Sequence, residues 1–222
     1  MIKNLASYID FGYHHPDATE KDIERVCTAV LEYQLNSAFI NPYYVPLVKK
    51  LLNNQRKTGT VISFPLGQET HETKIASLTQ MLEAGADEFD VVLNIALIKE
   101  HRWDAVLEEM KSLVSVVRNF ENRIIKFIPE TGFLTTDEIK KVAELMVTAG
   151  ADFFKTCSGY GPRGATIEDV TTVRAAVGDK IKVKVAGGIK TYEQVAEFIE
   201  AGASRIGTSR AVEIMNGAKL QQ

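Results

Sequence analysis

Residues 149–155 read AGADFFK, and the frame returns twice, as AGADEFD at 84–90 and AGASRIG at 201–207. Each copy runs from helix-forming residues through a glycine into a short apolar run. That is the pattern of a helix ending on a left-handed glycine and handing over to a strand. Any helix-to-strand turn favours glycine, which accounts for part of the likeness. The shared frame also sets Asp90, Lys155 and Gly207 at one height on three different strands. A buried strand that ends in a lysine raises the question of what holds its charge.

Outward from these copies, the chain alternates short apolar runs with amphipathic segments. The runs expected as strands are SYID (7–10), SAFI (37–40), TVISF (60–64), EFDVVL (88–93), IIKFI (124–128), DFFKT (152–156), KVKV (182–185) and SRIGT (204–208). Most lack polar alternation, as strands buried on both faces do. Helical spacing appears over Asp17–Tyr33 (Ile23, Val26, Cys27, Val30, Leu31) and over Trp103–Arg118 (Val106, Leu107, Met110, Leu113, Val114, Val117). Thr135 and Thr166, followed three residues on by Glu138 and Asp169, read as helix starts. Eight strands, each followed by a helix, are the count of an α/β TIM barrel, (β/α)8. A doubly wound open sheet shares the alternation; the repeated frame favours the barrel. No linker or low-complexity stretch interrupts the chain, so residues 1–222 are expected to form a single domain.

With 222 residues, 45% of them hydrophobic, the chain can bury one sizeable core, and a formal charge of −3 argues against a nucleic-acid or membrane-surface partner. No apolar run is long enough to span a membrane, and MIKNLASYID at the start lacks the apolar stretch of a signal peptide. Two cysteines, Cys27 and Cys157, make no disulfide framework and suggest a reduced, cytoplasmic setting.

In a barrel, chemistry collects at the C-terminal ends of the strands. Those ends carry Asp10, Asn41, Ser63, Asp90 with Asn94, Lys126, Lys155, Lys184, and Thr208 with Ser209. Any one of these alone reads as a surface lysine or a paired structural aspartate. Three lysines with two aspartates in reach read as a site, because lone buried charges are costly. A lysine nucleophile must be neutral, and burial or a neighbouring cation favours the neutral form. Such an amine forms a Schiff base with a carbonyl, and a carboxylate beside it moves protons. A metal-dependent route finds no support: His14 and His15 adjoin, His71 and His101 lie far off, and no HxH or HExxH spacing occurs. No metal or other cofactor is therefore expected. The four histidines read as surface or loop residues, and Cys157 as a small packed thiol.

Three glycine-bearing segments follow late strands: SGYGPRGAT (158–166), AGGIKT (186–191) and GTSRA (207–211). Backbone N–H groups in such loops hold phosphate, and barrels commonly place that site after strands seven and eight. Turn glycines are the plainer account of each segment; their joint position favours an anion site.

These residues, taken with YID (8–10), PDAT (16–19), NPYYVP (41–46), FPLG (64–67), GADEFDVVLN (85–94), ETGFLT (130–135), GATIEDV (164–170) and AGASRIGTS (201–209), carry a likeness over nearly the whole chain: it resembles the deoxyribose-phosphate aldolase family. The resemblance implies a metal-free class I aldolase, a carbon–carbon lyase on a (β/α)8 barrel. Such an enzyme splits 2-deoxyribose 5-phosphate reversibly into acetaldehyde and glyceraldehyde 3-phosphate. The resemblance implies Lys155 as Schiff-base former, Lys184 beside it lowering its pKa, Asp90 as proton relay, and Asp10 and Lys126 as supports. It further implies phosphate binding at Ser158, Gly159, Gly187, Gly188, Gly207 and Ser209, a small phosphorylated sugar and a short aldehyde as partners, and a homodimer.

The chain departs from the family pattern in places. Where the family reads D-H-T-L-L-K, this chain reads DFGYHH (10–15), so Gly12 stands for a substrate-holding threonine. Phe39 stands where a cysteine is common, Pro129 where an aliphatic residue is, and Arg210 follows Ser209 in the phosphate loop. The lysine–lysine–aspartate core is intact. The pocket wall at Gly12 and Phe39, with Phe11 and Tyr13, is expected to be more aromatic, and Arg210 to add a phosphate contact or fill that site. The competing readings are the same chemistry on another aldehyde pair, a non-catalytic phosphate-binding barrel, and a sugar-phosphate isomerase with Glu130 as its base.

Overall fold

Threonine opens five of the helices. Thr19, Thr135, Thr166 and Thr191 form reciprocal capping boxes with Asp22, Glu138, Asp169 and Gln194, and Thr70 accepts from Thr73 N. Each cap satisfies N–H groups that the first helical turn leaves unpaired, and so fixes where the helix begins. The starts expected at Thr135 and Thr166 are both observed.

The computed structural model describes residues 2–220. Its strands are β1 (Ile9–Tyr13), β2 (Ser37–Ile40), β3 (Lys57–Ile62), β4 (Glu88–Val92), β5 (Ile124–Ile128), β6 (Phe153–Lys155), β7 (Lys182–Ala186) and β8 (Arg205–Thr208). The helices are α1 (Glu20–Glu32), α2 (Val45–Leu52), α3 (His71–Glu83), α4 (Ile95–Lys99), α5 (Trp103–Arg118), α6 (Thr136–Ala149), α7 (Ile167–Val177), α8 (Tyr192–Glu200) and α9 (Ala211–Lys219). Every strand pairs in parallel with the next, and β8 pairs with β1, so the sheet closes into a barrel and the open-sheet alternative falls away. Gly85, Gly150 and Gly202 of the repeated frame have φ of 89°, 78° and 108°, just past the ends of α3, α6 and α8. The echo in the sequence is a left-handed helix stop used three times.

Alternate strands of a tilted barrel contribute each interior layer. The register assigns Ser37, Glu88, Phe153 and Arg205 to the lowest layer and Asp10, Gly59, Lys126 and Lys184 to the next. Above them come Phe39, Asp90, Lys155 and Gly207, and then Gly12, Val61, Ile128 and Ala186 near the mouth. Asp90, Lys155 and Gly207 do share a layer, as the repeated frame anticipates. Bulky aliphatic side chains usually fill such layers; here the middle ones are ionic. The apolar core lies instead in the sleeve outside, where Val91, Ile125, Phe127, Phe154, Val183, Val185 and Ile206 are buried with helix residues such as Leu78, Met110, Val142 and Val195.

The first strand differs from its expectation. Residues 5–8 form a 3-10 turn and β1 begins at Ile9, where pairing to Ser37–Ile40 and Ile206–Thr208 carries it on to Tyr13. Gly12 carries no strand signal in the sequence, so the expected run stops before it. As a result Asp10 is not at a strand end: it is fully buried in the second residue of β1. Lys126 likewise sits in the middle of β5 rather than at its end.

Candidate active site

Seven ionisable side chains meet inside the barrel: Asp10, Glu88, Asp90, Lys126, Lys155, Lys184 and Arg205. Asp90 is their hub. Lys155 Nζ and Lys184 Nζ approach the same oxygen, Oδ2, at 2.8 and 2.7 Å, and Lys126 Nζ lies 3.2 Å from Oδ1. Lys184 also meets Asp10 Oδ2 at 2.8 Å, and Lys126 meets Glu88 Oε2 at 2.6 Å. Arg205 closes the ring from below, 2.9 Å from Asp10 and 3.4 Å from Glu88. Asn36 and Ser37 donate to Asp10 Oδ1, both at 2.7 Å. Lys155 therefore has one carboxylate partner where Lys184 has two, and it is the amine with less to release.

Burial would push these groups towards their neutral forms, and the neighbours decide the outcome. Burial raises the Asp90 carboxyl, but Lys126, Lys155 and Lys184 together hold it well below the ordinary aspartate value. Asp10 is lowered in the same way by Lys184 and Arg205 against its own burial. Burial pulls Lys126 down, yet Asp90, Glu88 and Asp10 raise it overall. Lys184 goes the other way: burial, helped by Lys126 and Lys155, pulls it down to about 8 against the pull of Asp10 and Asp90.

Small residues make room for this network. A Cβ on Gly207 would stand 3.0 Å from Lys184 Cε, so Gly207, expected at the phosphate, also clears the space that Lys184 occupies. A Cβ on Gly59 would collide with the Phe39 ring at 2.3 Å. That ring lies under both amines, its centroid 3.6 Å from Lys184 Nζ and 4.5 Å from Lys126 Nζ. Phe39 is thus a cation–π partner of the lysines as well as pocket wall. Phe11 and Tyr13 do not join that wall: strand alternation turns them away from Asp10 and Gly12, and they line a groove beside α1 with Arg25 and Tyr33.

A cavity of about 470 Å³ opens above the network. Asp10, Gly12, Phe39, Asp90, Lys155 and Lys184 line it, as do Ser158, Gly159, Gly187, Gly188, Gly207, Ser209 and Arg210. Lys126 lies outside the lining, as do Phe11, Tyr13, Asn41, Ser63 and Asn94; it reaches Asp90 from the layer below. Gly187 and Gly188 have φ of 94° and 83°, and a Cβ on Gly164 would lie 2.6 Å from Gly187 O, so two of the late loops touch backbone to backbone. Ser158 is less free than expected: its N–H donates to Glu130 Oε2 at 2.9 Å and its Oγ accepts from Tyr160 N at 3.0 Å. Arg210 is exposed and paired with Glu213 at 2.9 Å. Glu130 braces the 158–164 loop from beneath and does not line the cavity, which leaves the isomerase reading without its base.

His14 corrects the surface reading of the histidines: it lines the cavity, and its Nδ1 is buried. Glu88 and Arg205 were also missed, although each lies two residues before an expected site residue, Asp90 or Gly207, and so faces the same side of its strand. Cys157 is buried, and burial pushes its thiol up to about 11. Among the described residues, no group of three or more His, Cys, Asp or Glu side chains is arranged to hold a metal ion, and no helix is long and apolar enough to cross a membrane.

Known proteins resemble this chain in sequence and in fold. The chain is 43% identical over 215 residues to a deoxyribose-phosphate aldolase of Caldicellulosiruptor saccharolyticus, covering 96% of this chain and 98% of that one. It is 43% identical over 219 residues to one from Thermococcus gammatolerans, covering 97% of each. Among solved structures, the aldolase QR15 superposes with a TM-score of 0.93 at 35% identity, covering 99% of this chain and 97% of that one. A deoxyribose phosphate aldolase from Aeropyrum pernix, described as tetrameric, gives 0.91 at 30% identity, covering 98% and 92%. The family profile that matches spans residues 5–218, and with it the chain belongs to the DeoC/LacD family of aldolases.

Proposed function

We propose that this protein is a class I aldolase that cleaves 2-deoxyribose 5-phosphate reversibly into acetaldehyde and glyceraldehyde 3-phosphate, with Lys155 as its nucleophile. The observation that carries this reading is the convergence of two buried amines on one oxygen of Asp90, at the floor of a cavity rimmed by backbone loops. In the cleavage direction the Lys155 amine adds to the sugar C1 aldehyde, and the carbinolamine loses water to give an iminium. The iminium accepts the electron pair of the C2–C3 bond as the C3 hydroxyl loses its proton, which releases glyceraldehyde 3-phosphate and leaves an enamine. Protonation at C2 and addition of water then release acetaldehyde and the free amine. Asp90, kept ionised by three lysines, is suited to take the C3 proton directly or through water. Lys184, pulled down to about 8, is suited to lend and recover a proton beside it. Asp10 and Lys126 hold those two groups in place.

We assign the phosphate to the loops of Gly159, Gly187, Gly188 and Ser209, which line the cavity and whose three glycines have positive φ, a backbone form that suits anion binding. Reduction with borohydride in the presence of acetaldehyde tests the nucleophile. Mass spectrometry is expected to find an N-ethyl group on Lys155 in the wild type and none in Lys155→Ala. An adduct elsewhere, or none, sinks the assignment. Equal cleavage of deoxyribose with and without its phosphate would remove the phosphate site.

A further inference from the structure

His14 lines the cavity from the segment after β1, and nothing in the scheme above uses it. Its ring packs on Phe64 at 5.1 Å between centroids, and Lys155 Nζ lies 5.7 Å from the same Phe64 ring. Phe64 in turn meets Tyr160 edge-on at 5.6 Å, and Tyr160 Oη donates to the His14 carbonyl at 3.1 Å. The imidazole is therefore held by a tilted ring contact and through its backbone, close to the proposed nucleophile. The ring lies against Gly12: a Cβ there would be in ordinary contact with His14 Nε2 at 3.6 Å.

The ring has hydrogen-bonding capacity to offer. Its Nδ1 is buried, the Asn41 amide is the ring's side-chain hydrogen-bond partner, and the nitrogen beside the cavity-lining Gly12 is Nε2. Burial, and then the Lys155 cation, hold its pKa down to about 3, so it carries one N–H and one lone pair at neutral pH. Of the aromatic residues around it, Phe39 and Phe64 are apolar, and Tyr160 already uses its hydroxyl on the backbone.

A sugar phosphate joined to Lys155 at one end, and held by its phosphate at the late loops, passes this wall with its middle carbons. We propose that His14 is a specificity-determining residue that hydrogen-bonds the hydroxyl on the carbon next to the acceptor aldehyde's carbonyl. The assignment rests on the aldolase reading above.

The test runs the full-length protein in the synthetic direction, with acetaldehyde as donor and two acceptors. One is glyceraldehyde 3-phosphate; the other is 3-phosphooxypropanal, which lacks only that hydroxyl. The wild type is expected to favour the hydroxylated acceptor by about tenfold in kcat/KM, mostly through KM. His14→Phe, which keeps an aromatic ring beside Phe64, is expected to lose that preference to within about twofold, and His14→Gln to restore part of it. A wild type without preference, a His14→Phe that keeps it, or equal losses on both acceptors overturns the assignment. Should His14→Phe fail to fold, His14→Leu carries the same comparison, and failure of both marks a structural role and overturns it too. Borohydride trapping of acetaldehyde on Lys155 involves no acceptor. An adduct without an acceptor preference therefore sinks His14 alone, whereas no adduct sinks the aldolase reading.

Discussion

Lys74 and Lys155 are both buried against a carboxylate, and of these two only Lys155 stands at the cavity. Lys74 on α3 reaches Glu109 on α5 at 2.5 Å and the Val92 carbonyl at 2.9 Å, while the other Glu109 oxygen accepts from Asn94 N. Lys155 reaches Asp90 at 2.8 Å, and that carboxylate is shared with two further lysines beside a cavity of about 470 Å³. Burial and pairing are common to both, so neither marks a site. The difference lies in balance. Glu109 serves one cation and a backbone N–H, whereas the barrel interior holds four cations (Lys126, Lys155, Lys184, Arg205) against three carboxylates (Asp10, Glu88, Asp90), setting aside the half-exposed Lys57 that touches Glu88. A pair that is matched closes off its own chemistry. A network with a surplus amine at its open end keeps one available.

The comparison predicts a crossover between two matched substitutions. Lys155→Met should lower kcat by about three orders of magnitude or more, because the proposed covalent step is gone. Its cost in stability should be small, about 1 kcal/mol, because it leaves three cations on three carboxylates. Lys74→Met should do the reverse. It leaves Glu109 buried without its cation and should lower stability by about 3–5 kcal/mol in urea melts, with kcat near wild type. Replacing both partners, Lys74→Met with Glu109→Leu, should recover most of that loss. If both lysine variants lose activity and stability together, the distinction drawn here fails.

Asp90→Leu sharpens the same point inside the network. It leaves four cations on two carboxylates, so it should be less stable than Lys184→Met by about 2 kcal/mol or more, although both remove one charge from the same contact. Similar urea midpoints for the two would show that charge balance does not govern the interior.

Much of this was legible in the chain, and the gaps have physical causes. Eight apolar runs, two capping boxes and a repeated glycine stop were enough for the barrel, because helix stops and buried parallel strands are local signals. The register that stacks Asp90 with Lys155 followed from one shared frame. The depth of Asp10 did not, because Gly12 interrupts the apolar signal and the strand continues only through pairing with β2 and β8. Glu88 and Arg205 obey the two-residue alternation and could have been read from it. His14 could not. Its place in the cavity depends on Phe64 and on Tyr160, which folds across from a loop 146 residues away. The Phe39 platform under the lysines was equally hidden, because it needs the space left by Gly59 on the next strand.

The smallest expected effect separates the two lysine environments by pH. Lys184 is pulled from 10.5 to about 8 on folding, so the unfolded chain holds this proton more tightly than the folded one. Stability from this group is therefore present above the unfolded pKa and is lost as pH falls through 8. Between pH 7 and 9 the wild type should gain about 1 kcal/mol relative to Lys184→Met. Lys126, in the same layer and equally enclosed, is shifted upward by Asp90, Glu88 and Asp10, so Lys126→Met should not reproduce that gain over the same range. Urea denaturation of the three proteins at each pH measures both slopes. A flat difference for Lys184→Met would mean that Asp10 and Asp90 fully offset its burial, and Lys184 would then have no claim as the proton carrier beside Lys155.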